Sequence, residues 1–363
     1  MTKDGSFKKV VRRHAQETGQ RYTEALTDLE GLQARMFHQP AGERLLGHIK
    51  DRYGVDAVGA TKVSQHHDHV FRIDRRDGEA WIARAFPPGR PRAGAEGDAA
   101  ILRFLERQDY PAERIAADDP VSMLDGSGVL VTRFIPGRPL PLAVGDEGAE
   151  KFSIMGDLLG RLHALPPDAS VSRPGGAGGE DPSREGSPRQ DLMAALAFLD
   201  AVDTKVPPSE RERFEQLRER VRSADDGQGL PEALLHGNLL HAPDHVVVAE
   251  QGPVAINWKA AGRGPRLADF GWLLWGTWGK EDWIDLAVGA YRSHVELTDD
   301  ELERLEAAMW MRPLYLACFS YRRDVMAGRQ PKEAWGFANP EHIGAIAAAT
   351  RAAWRKSSGG GAL

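Results

Sequence analysis

Two short stretches carry the residue types that could do chemistry. The first is His236-Gly237-Asn238-Leu239-Leu240-His241-Ala242-Pro243; the second, about twenty residues on, is Asn257-Trp258-Lys259, with Arg263, Arg266 and Asp269 close behind. Histidine takes and gives protons near neutral pH, so His236 and His241 are candidates for acid or base work. Asn238 and Asn257 can only hydrogen-bond, because an amide takes up no proton and brings no negative charge to a metal. Lys259, Arg263 and Arg266 turn the local charge positive, which favours an anion. A third cluster, Ser64-Gln65-His66-His67-Asp68-His69, places three histidines and an aspartate within four residues, a set with metal-ligand chemistry. Adjacent residues on a strand point to opposite faces, so at most two of those histidines converge, and a solvated polar turn is the plainer reading.

These residues need elements to hold them. Ala25, Leu29, Leu32 and Met36 fall at helical spacing behind a basic cluster of Lys8, Lys9, Arg12 and Arg13, which predicts an N-terminal helical extension over residues 1–50. Residues 51–136 read as a small sheet with one helix. Val70-Phe71-Arg72-Ile73 and the run 81–86 form a hairpin about Arg76-Asp77-Gly78, a helix runs from about 93 to 107, and a strand covers 129–135. Residues 137–355 are mostly helical, interrupted by short strands at 245–248 and 254–258. Ser209 with Glu212 and Thr298 with Glu301 have capping-box spacing, and Asn339-Pro340 reads as an N-cap followed by proline. The segment 166–190 is rich in Gly, Pro and Ser and predicts a flexible surface loop; 356–363 predicts a disordered tail. The fold class expected from this order is α+β.

Composition excludes several classes. With 363 residues, 41% hydrophobic and 28% charged, the chain is long enough for a large core and too balanced for a disordered or membrane protein. A net charge of −6 gives no global footprint for nucleic acid. Cys318 is the single cysteine, so neither an intramolecular disulfide nor a cysteine-based zinc site can form. Residues 1–13 lack an apolar signal region and no run is long enough to span a bilayer, so a cytoplasmic protein with no membrane contact is expected.

The spacing of the first two stretches resembles that of the aminoglycoside phosphotransferase and choline kinase-like family, which shares the two-lobed protein kinase fold. In that family the loop reads H-G-D-x-x-x-x-N and the following strand ends in I-D-W or V-D-F. The positions match here over about 58–352, but the residues differ. The resemblance implies a kinase-like N-lobe at 51–136 and a C-lobe at 137–355. It places Asn238 at the catalytic carboxylate, Pro243 and Asn257 at the two magnesium ligands, and Lys259 where an acidic residue is common. It further implies that Arg84 replaces the phosphate-contacting lysine with Glu96 as its ion-pair partner, and that Thr132 belongs to the adenine-facing hinge. The cluster His66, His67, Asp68 and His69 takes the place of the phosphate-covering loop, without its glycines. His163 is then a core histidine, and Asp269 a structural brace on the catalytic loop.

In family members that modify polycationic sugars, acidic helices hold the substrate; here 281–306 carries nine acidic residues against Arg292 and Arg304. A solvated helix face is the simpler account of them. Trp258, Trp272, Trp275, Trp278 and Trp283 cluster in sequence nearby, mostly as core, with one or two suited to an aromatic or apolar ligand.

Three functions remain open at this level. The first is a catalytically degenerate member, a pseudokinase that binds a nucleotide, small molecule or protein partner. The second is an active ATP-dependent phosphotransferase on a hydroxylated small molecule, with Asn238 orienting the acceptor. The third is a non-phosphoryl biosynthetic reaction in which His66, His67, His69, His236 or His241 acts as acid or base. ATP or another nucleotide is the expected cofactor, and magnesium is disfavoured because its carboxylate ligands are missing.

Overall fold

A computed structural model of the chain describes residues 41–64, 67–86, 92–140, 149–171, 188–240, 245–331 and 339–356. Among these, no helix is long and apolar enough to cross a membrane. The chain divides into two compact units, with the change at Pro136 and Gly137.

The first unit is built on a five-stranded antiparallel sheet. Helix α1 (Ala41–Tyr53) leads into β1 (Ala57–Ser64), β2 (His67–Arg75) and β3 (Trp81–Ala85). Helix α2 (Arg92–Arg107) then crosses to β4 (Val121–Leu124) and β5 (Ser127–Arg133), and the strand order is β1-β2-β3-β5-β4. β5 is covered on both faces, which is why Gly128-Val129-Leu130-Val131-Thr132 reads as an almost unbroken run rather than an alternating one. Leu45 and Ile49 of α1 are fully buried with Phe71, Ile73, Trp81, Val129 and Val131. The expected boundary at 50/51 therefore falls inside a helix that belongs to the sheet's own core. The polar spacing of α1 outside Leu45 and Ile49 hides this in the sequence. Residues 1–40, with the helices expected there, lie outside the described residues.

The second unit is mostly helical. After the short β6 (Arg138–Pro139) come α3 (Ala149–His163), α4 (Pro188–Asp200) and α5 (Arg211–Arg222), then β7 (Glu232–Leu235), β8 (Val246–Ala249), β9 (Gly252–Ala255) and β10 (Gly262–Pro265). The chain finishes with α6 (Arg266–Trp275), α7 (Glu281–Arg292), α8 (Asp299–Glu303), α9 (Leu305–Met326) and α10 (Pro340–Lys356). β7 pairs with β10, and β6, β8 and β9 form a second small sheet. One core gathers Phe198 and Leu199 of α4, Phe214 and Leu217 of α5, and Leu314, Tyr315 and Tyr321 of α9.

Two expectations about helix ends hold and one does not. Thr298 and Glu301 form the reciprocal capping box, with Glu301 N–H donating to Thr298 Oγ1 at 3.2 Å and Thr298 N–H to Glu301 Oε2 at 2.8 Å. Asn339 Oδ1 accepts from Glu341 N–H at 3.0 Å at the start of α10. Ser209 is not a cap: Pro207 and Pro208 start a 3₁₀ turn (Pro208–Glu210), so Ser209 lies inside the turn and Glu210 precedes α5. Of the expected loop 166–190, a 3₁₀ turn (Ala169–Val171) and the start of α4 are described, and 172–187 are not.

Helices α3 and α7 approach closely enough that two glycines are required between them. A Cβ at Gly156 would sit 2.6 Å from the Ala287 carbonyl oxygen, and one at Gly160 2.8 Å from that of Tyr291. Backbone cannot yield as a side chain can, so Gly156→Ala and Gly160→Ala should each destabilise the protein by about 1–3 kcal/mol. This outweighs the roughly 1 kcal/mol that alanine gains over glycine in a helix. Denaturant midpoints check it; a variant as stable as the wild type would show that the helices separate freely.

Candidate functional site

The site is built on a buried carboxylate. β7 brings the chain to His236, and its partner β10 feeds α6, whose first turn contains Asp269. Asp269 accepts the His236 N–H at 2.7 Å and the Gly237 N–H at 3.1 Å on each oxygen. Gly237 has φ 80°, a left-handed conformation that glycine adopts without cost. The brace expected at Asp269 is thus present. His163, at the end of α3, lies 3.9 Å from Asp269 and shares its Nδ1 with the Tyr291 hydroxyl at 2.9 Å. Burial keeps the His163 imidazole neutral by holding it below its ordinary value. For Asp269, burial pushes the carboxyl upward, but His163 and the Gly237 N–H outweigh it and leave it ionised below its ordinary value.

His236 is fully buried. Its Nε2 donates to the Ile256 carbonyl at 3.0 Å, leaving Nδ1 as the acceptor facing the Asn238 N–H at 3.4 Å, and the ring packs on Trp258 with centroids 4.7 Å apart. With no exposed surface and its Nε2 tied to the Ile256 carbonyl, the ring holds the loop in place. At the other end of the loop Leu240 packs into the space left by Gly276 after α6, where a Cβ would clash with the leucine side chain.

The two asparagines have each acquired a partner. Asn238 is half-buried, and its Oδ1 accepts from Nη2 of Arg312 on α9 at 3.2 Å. The Arg312 guanidinium lies 5.6 Å from the Trp272 ring and 5.8 Å from Tyr315, within cation–π range of both. Asn257 follows β9 with φ 69°, caps the 3₁₀ turn Trp258–Ala260, and is 8% exposed. Its Nδ2 stands 2.6 Å from Nε2 of the buried His245. Neither Arg312 nor His245 was singled out from sequence. Arg312 left a trace, as the one charge in the otherwise uncharged run 307–321 of α9; His245 left none.

Magnesium does not fit this donor set. A hard divalent cation wants anionic oxygens; of the two positions that would supply ligands, Asn257 holds a neutral amide and Pro243, outside the described residues, has no side-chain oxygen. Lys259 sits in the 3₁₀ turn beside Asn257 and adds positive charge. Pro243, Asp244 and His241 lie outside the described residues, as does His66; His67, Asp68 and His69 begin β2 rather than a turn, with His67 paired to Ser64.

In the first unit, the expected Arg84–Glu96 pair is not made. Glu96 binds Arg92, one turn away on α2, at 2.7 Å on an exposed face, while the buried face of α2 carries Ala95, Asp98 and Ala99. Arg84 is 9% exposed on β3, with Glu113 Oε1 3.8 Å from Nη2. Glu113 also accepts from the Thr132 hydroxyl at 2.9 Å, so Arg84, Glu113 and Thr132 form one buried polar group. Sequence reading missed Glu113 because it lies in the connection after α2, not on the helix.

The acidic stretch and the tryptophans divide similarly. Glu301 is fully buried and takes both Arg266 nitrogens at 2.7 Å, whereas Glu281, Asp282, Asp285, Asp299, Glu303 and Glu306 lie on exposed faces. Trp258, Trp272, Trp275 and Trp283 are core; Trp278, at φ 53°, is 58% exposed and extends the Trp272–Trp275 stack.

Because Asp269 is ionised in the fold below its ordinary value of 3.8, its contribution is fully present above that value and is lost as pH falls through the lower folded value. Asp269→Asn should cost about 1–3 kcal/mol at pH 7, since the amide nitrogen then faces backbone N–H donors. That cost should shrink below pH 4 as the wild type protonates. Urea unfolding across this range checks it, and a pH-independent difference would count against it.

Known proteins place this geometry. A sequence model of the phosphotransferase enzyme family, abbreviated APH, matches residues 60–307. Streptomycin 3''-kinase of Streptomyces griseus is 27% identical over 238 residues, which are 62% of this chain and 82% of that protein. Among solved structures, choline kinase LicA from Streptococcus pneumoniae superposes with a TM-score of 0.57 at 11% identity, over 83% of this chain and 98% of that one. An amicoumacin kinase in complex with AMP-PNP, Ca2+ and Ami gives 0.56 at 14% identity, over 85% and 93%. The fold, a five-stranded sheet unit followed by a mostly helical one, is that of these kinases. The chain belongs to the phosphotransferase enzyme family.

Proposed function

We propose that this chain is a family member in which magnesium-dependent phosphoryl transfer has been lost and the fold serves to bind a nucleotide or another small molecule. The observation that carries this reading is Asn257. The side chain at the metal-ligand position is a neutral amide, buried, and held 2.6 Å from His245. A metal would have to displace that contact and would find no negative charge in return. Asn238 compounds the loss, since an amide accepts no proton.

Magnitude separates the two losses. General-base removal costs about 10²- to 10⁴-fold, and less where the transition state is loose, as in phosphoryl transfer. Loss of the metal is more severe, because the metal carries the charge that develops on the phosphates. Nucleotide binding is supported by the solved neighbour that holds AMP-PNP.

The test uses purified full-length protein with magnesium, labelled ATP and a panel of aminoglycosides, streptomycin included, and amino alcohols. Transfer is expected to stay below about 10⁻³ of ordinary kinase turnover, which is roughly 1–100 s⁻¹. Turnover at those ordinary rates would end the reading. The double variant Asn238→Asp with Asn257→Asp should recover magnesium-dependent ATP hydrolysis; if ATP still binds and nothing is hydrolysed, the missing carboxylates are not what silences the site.

A further inference from the structure

Arg312 decides which way the Asn238 amide faces. A guanidinium has five N–H donors and no acceptor, so the Asn238 atom 3.2 Å from Nη2 is Oδ1. The other end of the amide is then Nδ2, with two hydrogens and no hydrogen bond among the described residues, on a side chain that is partly open to solvent. A carboxylate here would offer acceptors to a ligand hydroxyl. This amide offers donors, so the hydrogen-bonding polarity of the position is inverted.

Among the described residues, the surrounding charges point the same way. The carboxylate of Asp269 is occupied by the His236 and Gly237 N–H groups, and Glu301 is bound by Arg266. Arg312, held between Trp272 and Tyr315, puts a fixed positive charge behind the amide and polarises its N–H bonds. A donor backed by a cation suits an oxyanion.

We propose that Asn238, oriented by Arg312, is an oxyanion-binding group that takes a carboxylate or phosphate oxygen of the ligand through its Nδ2 hydrogens. Asn238 is the contact and Arg312 the positioning residue. The inference rests on the reading that position 238 no longer serves phosphoryl transfer, and it narrows the ligand to a molecule carrying such a group.

The test is made without nucleotide or magnesium, so that it stands apart from the transfer assay. In full-length protein labelled with ¹⁵N at asparagine, the Asn238 side-chain pair is assigned by its disappearance in Asn238→Asp. Inorganic phosphate and acetate are titrated separately, which distinguishes the two oxyanion sources. A saturable shift of that pair is expected with at least one of them, at millimolar concentrations. Arg312→Met should weaken that response about tenfold or more, and Arg312→Lys, which keeps a donor and the charge, should restore most of it. Asn238→Asp, which lacks that pair, is compared with the wild type by calorimetric titration of the same anion and should bind it at least about tenfold more weakly, because it replaces the donor with a like charge. If Arg312→Met fails to fold, the lysine and aspartate variants still decide. An Asn238 pair unmoved by either anion up to about 100 mM, or an Asn238→Asp variant that binds as well as the wild type, overturns the proposal. Magnesium-dependent transfer together with a saturable shift would remove the first reading and leave this one standing.

Discussion

The Asp269 carboxylate is what the rest of the site depends on. A buried ion is costly unless it is hydrogen-bonded, and Asp269 meets that condition with the backbone N–H groups of His236 and Gly237, with the His163 side chain 3.9 Å away. The contact fixes the loop in a way that no substitution at the neighbouring side chains can undo. Gly237 supplies the left-handed turn, His236 anchors to the Ile256 carbonyl, and Leu240 fills the gap at Gly276. All three determine where the side chain of residue 238 stands. None of them determines what that side chain is.

This separation lets the loop keep its backbone frame while the residues at positions 238 and 257 differ from the family pattern. Asparagine has nearly the shape of aspartate, so exchanging one for the other leaves the backbone frame alone and changes only charge and hydrogen-bond polarity. The new partners fit amides. His245 Nε2 stands 2.6 Å from the Asn257 amide nitrogen and accepts from it, whereas a carboxylate in that place would reverse the contact and take a hydrogen bond from the ring. Arg312 accepts either residue, but only with an amide does the far side become a donor.

Much of this frame was legible from residue types and spacing. The 70–86 hairpin, the helix after it and the strand before Pro136 follow from local pattern, since each is set by contacts a few residues apart, while the bracing role of Asp269 comes only from the family resemblance. What was not legible depends on long-range geometry. Arg84 lies against Glu113, on a connection, because the exposed face of α2 carries Glu96 to Arg92 instead. Arg312 is 74 residues from Asn238, and nothing local marks the pair. The capping spacing at Ser209 misled because two prolines began the turn earlier, and the 50/51 boundary misled because α1 buries only a narrow face on the sheet.

Net charge is also a poor guide to the site. The chain carries −6 overall and concentrates acid in 281–306, which invites the expectation of a polycationic ligand. Part of that acid is already used: Glu301 by Arg266, Glu296 by Arg292, and Asp300 by Arg304. Much of what is left lies on exposed helix faces, where screening reduces its reach to roughly 8–10 Å. At the loop the sign reverses. Among the described residues the ionised carboxylate bound there, Asp269, is turned inward to the backbone, and the charge beside Asn238 is a guanidinium near aromatic rings. Electrostatic selection at any site is decided by the few groups within a hydrogen bond or two of the bound molecule, and beside Asn238 the described group of that kind is the Arg312 guanidinium.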